Sequence, residues 1–158
     1  FDAELQRQKE LNDAVVKSEG GENQYKLHEE LGKVMTDNVT VVRYNEKLKA
    51  TDEKLLELRE RLGRISINDS NLWATQAIPH ARQLGNMIEL ARVITLGALN
   101  RNESRGAHYK PEFPDRNDEE WLKTTIAEYA DEAPVFSYSP VNVSLVEPRK
   151  RDYSTGKK

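Results

Sequence analysis

One short stretch of the chain carries four side chains of different chemistry. They are the Glu103 carboxylate, the Ser104 hydroxyl, the Arg105 guanidinium and the His108 imidazole. These groups carry protons or bind charged ligands in many functional sites. One interpretation is that His108 is a proton carrier or contacts a ligand. The other is a buried polar cluster in which Glu103, Arg105 and His108 bond one another and the nearby backbone. Because polar residues at helix ends usually satisfy backbone groups, the sequence favours the second interpretation.

The sequence lacks the other patterns that identify common catalytic or binding chemistry. It has no glycine-rich phosphate loop, and the absence of cysteine excludes disulfides, thiol catalysis and cysteine-ligated iron–sulfur clusters on this chain. Its three histidines, His28, His80 and His108, are far apart in sequence and predict no zinc site. Ser104 does not follow the strand and turn of a nucleophile elbow. We therefore assign no catalytic, cofactor-binding or metal-binding residue.

The stretch from Arg101 to Pro114 is predicted to end a helix. Gly106 can adopt the left-handed conformation that commonly closes a helix, while Arg101 and Arg105 suit the negative end of a helix dipole. Pro111 and Pro114 prevent the helix from resuming. The polar cluster is predicted to fix this turn and to help dock the helices on another domain. This structural and docking role is assigned to Glu103, Arg105, Gly106 and His108.

Composition is consistent with a small, highly charged helical protein. The 158 residues fit one domain or one domain with a tail, with 37% hydrophobic and 32% charged residues. A net charge of −3, with both signs interspersed, gives no basic field for nucleic acid. No apolar run reaches the roughly 20 residues that span a bilayer, and no signal peptide is visible. The chain begins at Phe1 rather than Met and is interpreted as a fragment of a longer polypeptide.

Hydrophobic spacing predicts a mainly α fold: an antiparallel helical bundle of three main helices, preceded by a weaker leading helix. The leading helix covers residues 2–17 and has only a loose apolar stripe. Gly20 and Gly21 end it, because two glycines destabilise a helix interior too much to lie within one.

Two of the main helices show heptad-like apolar seams. The second helix begins near Glu22, and its seam is Leu27, Leu31, Val34, Asn38 and Val41. The third helix has Asn45 as its expected N-cap, and its seam is Leu48, Thr51, Leu55, Leu58, Leu62 and Ile65. The charges on its outer faces are interpreted as solvated, with Glu57 and Arg61 paired one turn apart.

The fourth helix is predicted from about Thr75 to Arg101, with Pro79 tolerated in its first turn. Its seam is Trp73, Ala77, Ala81, Leu84, Ile88, Ala91, Thr95 and Ala98. Its second half is apolar almost all round, as in a helix buried on more than one side. It is therefore expected to lie between the second and third helices, or between the bundle and another domain.

Residues 1–102 are thus predicted to form the bundle and residues 103–158 a tail. The tail is expected to contain a capped helical turn near Asn117 and a short β-hairpin over residues 121–129 and 135–138. Residues 154–158 are expected to be disordered. The basic residues near the end are interpreted as a solvated terminus, with an acidic partner or a membrane surface as the alternative: Arg149, Lys150, Arg151, Lys157 and Lys158.

Three consecutive strings of the chain carry a family resemblance: Glu103–His108, Phe113–Arg116 and Asp118–Leu122. In these strings the chain resembles the C-terminal region of the succinate dehydrogenase flavoprotein subunit. Gly20–Asn23 and Pro148–Tyr153 extend this resemblance over nearly the whole chain. The wider family includes fumarate reductase and L-aspartate oxidase.

The resemblance implies a parent subunit that carries covalently attached FAD and oxidises succinate to fumarate. It implies that electrons pass to an iron–sulfur subunit and then to quinone through a membrane-anchor subunit, at the cytoplasmic face of a bacterial plasma membrane. In this family the flavin and substrate residues lie in upstream domains. The fragment is therefore expected to be inactive alone and to contact the FAD domain of its own chain.

Two alternatives remain open from the sequence. The chain could be the same domain of fumarate reductase or L-aspartate oxidase, although the hairpin-bearing tail and its basic ending look most like succinate dehydrogenase. It could also be a free-standing helical interaction module, which the heptads allow but which does not explain the Glu103–His108 string.

Overall fold

The computed structural model describes residues 1–67, 73 and 75–149, and it confirms the predicted mainly α fold with a hairpin-bearing tail. The elements are α1 (Asp2–Val16), α2 (Gln24–Asn38), α3 (Asn45–Leu62), α4 (Ala77–Asn100), α5 (Asp118–Trp121), β1 (Lys123–Glu128) and β2 (Val135–Pro140). The expected disordered end and the basic residues after Arg149 lie outside the described residues, as does most of the loop that follows Ile67.

The core lies where α2, α3 and α4 face one another. It follows the predicted seams and consists of Leu27, Leu31, Leu55, Leu58, Ile65, Ala81, Leu84, Ile88 and Ala91. The polar seam residue Asn38 donates to the Thr51 hydroxyl at 3.1 Å, so its amide is partnered inside the seam. Spacings of three and four residues therefore identified the buried faces of all three helices.

The break before α2 is held against the end of α3. The Glu22 backbone donates to the Arg64 carbonyl at 3.1 Å, and the Ser66 backbone donates to the Glu22 carbonyl at 2.9 Å. A Cβ on Gly20 would lie 2.1 Å from the Arg64 carbonyl oxygen, so only glycine allows this approach. The Asn23 side chain then caps α2 by accepting from the backbone N–H groups of the next turn.

Arg61 joins α3 to α2, which corrects the interpretation of the α3 charges as simply solvated. Its guanidinium donates to both oxygens of Glu22 and both oxygens of Glu30, at 2.8 to 3.1 Å. The predicted pair with Glu57 is also present, at 3.2 Å. Spacing within one helix predicted the local pair, whereas the bonds to α2 depend on packing between helices.

Three predicted details are wrong. Asn45 is the first residue of α3 rather than its N-cap; Tyr44 is the cap residue, and the Asn45 backbone donates to the Glu112 carboxylate at 2.9 Å. Val41 follows the end of α2 and is 52% exposed, so it is not part of the seam. Trp73 precedes α4 and is 94% exposed rather than packed in the α4 seam.

The hairpin packs on α4. Strands β1 and β2 pair antiparallel, with Lys123 opposite Pro140 and Glu128 opposite Val135. The Phe136 ring would be 3.5 Å from a Cβ on Gly97, so this glycine gives the ring a place against the helix. The buried Arg92 donates to Asp52 on α3 and to the Glu132 carbonyl in the hairpin loop, both at 2.9 Å. The first strand begins two residues later than predicted, because Trp121 belongs to α5.

The second half of α4 packs against the bundle and the hairpin but leaves one apolar stripe exposed. Met87, Leu90 and Ile94 are 40%, 62% and 51% exposed, and they form an apolar stripe beside α2. The leading helix α1 packs near α4 and has no buried residue. Among the residues that the structure describes, no helix has the length and hydropathy required to cross a membrane.

Replacing Leu58 or Leu84 with alanine should lower the free energy of unfolding by roughly 2–5 kcal/mol, because each substitution leaves a cavity in the seam. The two leucines are 0% and 1% exposed. Urea denaturation followed by circular dichroism measures the loss. Leu90→Ala, at a residue that is 62% exposed, is the control and should change stability little. Equal effects at all three positions would show that the core is placed incorrectly.

Candidate functional site

The Glu103 carboxylate is fully buried where α4 runs into the tail. Its Oε1 accepts from Arg101 Nη1 at 2.7 Å and from Arg105 Nε at 2.8 Å. Its Oε2 accepts from Arg105 Nη2 and from the Asn117 backbone, both at 3.0 Å. Arg105 also donates to Asp118 at 2.6 Å. These five residues, Arg101, Glu103, Arg105, Asn117 and Asp118, are called the Glu103 junction.

The Glu103 junction keeps its carboxylate ionised. Burial alone would raise the pKa of Glu103, but the hydrogen bonds from Arg105, the Asn117 backbone and Arg101 outweigh it and leave the pKa below its ordinary value. Both carboxylate oxygens already accept two bonds each. A group in this state is suited to fixing positions and unsuited to exchanging protons near neutral pH.

Gly106 does not close α4, contrary to the sequence-based expectation. The helix ends at Asn100, and Gly106 lies in a tight turn in which the Arg105 and His108 backbones exchange hydrogen bonds of 2.7 and 3.0 Å. Its φ of +59° is the conformation that such a turn requires at its first central position. Gly106 therefore brings His108 back beside Arg105.

The side chain of His108 bonds to the nearby backbone, as predicted, but to neither Glu103 nor Arg105, so the predicted side-chain cluster holds for the carboxylate and the guanidinium. His108 Nδ1 lies 2.6 Å from Arg43 Nη1, and Nε2 lies 3.0 Å from the Arg101 carbonyl oxygen. An arginine can only donate and a carbonyl can only accept, so these partners assign a neutral ring with its proton on Nε2. Burial lowers the pKa of His108, which is consistent with that assignment.

Arg101 links the Glu103 junction to the hairpin. Besides Glu103, it donates to the carbonyls of Trp121 and Lys123 at 2.9 and 2.8 Å, and to the Thr125 hydroxyl at 3.1 Å. Its guanidinium also lies 5.1 Å from the centre of the Trp121 ring. The sequence indicated only that this arginine suits a helix end, and nothing in its spacing indicated these partners.

Lys110 is a second residue whose role the sequence did not indicate. It is 0% exposed, and its Nζ donates to the Leu99 carbonyl at 3.0 Å and to Asn102 Oδ1 at 3.2 Å. Its backbone N–H donates to the Ser104 hydroxyl at 2.9 Å. A lysine that directly precedes a proline carries no local signal for burial, yet this one occupies the open carbonyl end of α4.

His28 and His80 are not isolated, although they are 52 positions apart in sequence. His28 Nδ1 on α2 lies 3.3 Å from His80 Nε2 in the first turn of α4. Tyr25 packs against His80 with ring centres 4.6 Å apart. Within the described ranges, no group of three or more histidine, cysteine, aspartate or glutamate residues is arranged to hold a metal ion.

A family model described as the fumarate reductase flavoprotein C-terminus matches residues 28–153. The succinate dehydrogenase flavoprotein subunit of Bacillus subtilis (strain 168) is 57% identical over 99% of this chain, which covers 27% of that protein. The fumarate reductase flavoprotein subunit of Haemophilus influenzae is 33% identical over 89% of this chain and 24% of its own length.

Solved structures give the same picture. Quinol fumarate reductase from E. coli superposes with a TM-score of 0.88 and 29% identity, over 94% of this chain and 26% of that chain. A Mycobacterium smegmatis Sdh1 structure, at 22% identity and a TM-score of 0.71 over 89% of this chain and 24% of that chain, shares the fold. The chain thus spans about a quarter of the length of the relatives that it matches.

The buried Lys110 should make stability depend on alkaline pH. Burial lowers the pKa of its ammonium group from 10.5 to about 8. Between these values the unfolded chain binds more protons than the folded chain, so this lysine makes the free energy of unfolding rise with pH. The neutral amine keeps two hydrogens for its two acceptors.

This prediction is checked by urea unfolding from about pH 7 to about pH 10 for the wild type and Lys110→Met, with exposed Lys26→Met as the control. The stability difference between wild type and Lys110→Met should grow in favour of the wild type as pH rises. The corresponding difference for Lys26→Met should stay flat. A flat difference for Lys110→Met as well would mean that this lysine titrates as an ordinary exposed group.

Proposed function

Because this chain belongs to the family of the fumarate reductase flavoprotein C-terminal domain, we propose that it serves as the C-terminal helical domain of a succinate dehydrogenase flavoprotein subunit. The observation that carries this choice is the 57% identity to a succinate dehydrogenase flavoprotein over nearly the whole chain. The fumarate reductase flavoproteins of Haemophilus influenzae and E. coli are 33% and 34% identical.

The proposed parent subunit binds FAD, oxidises succinate to fumarate and passes electrons to an iron–sulfur subunit. A membrane-anchor subunit would connect this pair to quinone at the cytoplasmic face of a bacterial plasma membrane. FAD, when bound, supplies the electron acceptor for the oxidation. The described strands of this chain form only an antiparallel hairpin, without the strand, glycine-rich turn and helix that bind a dinucleotide. No step of the flavin chemistry is therefore assigned to these residues.

The role proposed for this domain is structural. Met87, Leu90 and Ile94 on α4 leave an apolar stripe beside α2. Exposed apolar patches of this kind commonly meet another domain or a partner. We propose that α4 docks on the FAD domain of the same polypeptide and that the Glu103 junction, with Gly106 and His108, holds the end of α4 in the orientation required for docking.

Fumarate reductase is the second candidate, because the quinol fumarate reductase of E. coli superposes with a TM-score of 0.88. The two activities use the same chemistry in opposite directions. A choice between them therefore requires measurement on the parent protein.

The direction of catalysis should favour succinate oxidation in the full-length subunit assembled with its iron–sulfur subunit. Dye reduction by succinate and oxidation of a reduced viologen by fumarate measure the two rates. Faster fumarate reduction would support the second candidate, and absence of both activities would contradict a flavoprotein parent.

The isolated 158-residue chain should bind neither FAD nor succinate in isothermal titration. Stoichiometric FAD binding to it would mean that the cofactor domain is not elsewhere.

Arg105→Ala in the full-length subunit should lower stability or flavin retention and impair assembly. It removes two of the four bonds to the buried Glu103 carboxylate, and breaking a buried charged pair costs roughly 3–5 kcal/mol. Arg116→Ala is the matched control, because Arg116 pairs with Asp118 and does not touch Glu103. A stable, fully flavinylated and assembled Arg105→Ala enzyme that has lost only its turnover would contradict the docking role and indicate direct chemistry at Arg105.

A further inference from the structure

We propose that His28 and His80 form a two-histidine site for a late first-row divalent metal ion, of the Zn²⁺ class, on the surface between α2 and α4. The two residues belong to helices that are connected only through α3 and its loops. The fold brings His28 Nδ1 and His80 Nε2 to 3.3 Å from each other. The proposal is independent of the enzymatic assignment.

The separation of the two nitrogens matches the geometry of tetrahedral zinc. With zinc–nitrogen bonds of about 2.0–2.1 Å, neighbouring ligands of a tetrahedral ion lie about 3.3–3.4 Å apart. The 3.3 Å between the two ring nitrogens is therefore already the length of one edge of the tetrahedron. The ring planes are inclined at 53° to each other. Coordination requires each imidazole to rotate about its side-chain bonds so that both nitrogens face the ion.

The backbones that carry the two rings are held by the core. On α2, Leu27 beside His28 is 0% exposed. On α4, Ile78 and Ala81 on either side of His80 are 7% and 2% exposed. The Tyr25 ring packs against His80, with ring centres 4.6 Å apart. Ligands fixed in this way lose little freedom on binding an ion, which favours a site even with only two protein ligands.

The ligand type favours a late first-row transition-metal ion or Zn²⁺. Two nitrogens suit Zn²⁺, Ni²⁺ or Cu²⁺, whereas Mg²⁺ and Ca²⁺ prefer oxygen ligands. Both histidines are partly exposed, so water can complete the coordination of the ion.

Zn²⁺ should bind the 158-residue chain with a stoichiometry of one and raise its melting temperature, because the folded state alone brings the two ligands together. Isothermal titration and thermal unfolding measure these effects, with Mg²⁺ expected to produce neither. Loss of outer-sphere partners weakens metal sites by about 10–100-fold, so loss of a ligand should weaken binding by at least about tenfold. His28→Gln and His80→Gln should each show this loss.

Tyr25→Phe is the matched control, because it keeps the ring against His80 and removes only the hydroxyl. Its affinity for Zn²⁺ should equal that of the wild type. Nuclear magnetic resonance of the wild-type imidazoles gives a second measurement that does not depend on the folding of any variant. Zn²⁺ should shift the resonances of His28 and His80 and leave those of His108 unchanged. Absence of binding, binding that is undiminished in both single variants, or a shift confined to His108 would each overturn the proposal.

Discussion

The complete burial of the Glu103 carboxylate is the constraint on which the connection between bundle and tail depends. A buried charge is tolerated only when its hydrogen-bonding capacity is filled, and here four donors fill it. The donors come from the end of α4, from the turn after it and from the residue that caps α5. The carboxylate can therefore be satisfied only when these three segments are in place together, so the start of the tail cannot move independently of α4.

The hairpin illustrates the same dependence. A two-stranded hairpin is at best marginally stable by itself. Here Arg101 binds the start of β1, and Arg92 binds the loop between the strands from the middle of α4. Phe136 packs at Gly97 between these two anchors. One face of α4 thus forms the bundle core while residues along another side position the tail, which explains why the helix is so long and so rich in apolar residues.

Periodicity in the sequence predicted the helices and their buried faces, because side chains three and four residues apart share a face in any helix. Leu58 and Leu84 are buried as their spacing indicated. Helix ends were predicted less well, because residues outside the helix bond to their unpaired backbone groups. The Glu112 carboxylate accepts from a backbone N–H at the start of α3, and the Lys110 ammonium donates to a carbonyl at the end of α4. Of the partners that bond to Glu103, the sequence predicted only Arg105, which lies two residues away. The bond from the Asn117 backbone to Glu103 spans 14 positions, and the bond between Arg43 and His108 spans 65. No local sequence pattern encodes either bond.

Buried ion pairs are rarely more stabilising than well-packed apolar residues of the same size, so stability alone does not explain the Glu103 junction. What such pairs add is direction, since each bond has a required distance and angle. An apolar cluster at the end of α4 could accept several orientations of the tail with similar energy. The four hydrogen bonds to the Glu103 carboxylate are compatible with only one orientation of the tail. The neutral ring of His108, between Arg43 and the Arg101 carbonyl, adds to this restriction. The apolar stripe on α4 that is proposed to dock is itself nondirectional, and in that proposal the polar junction supplies the orientation that the stripe cannot.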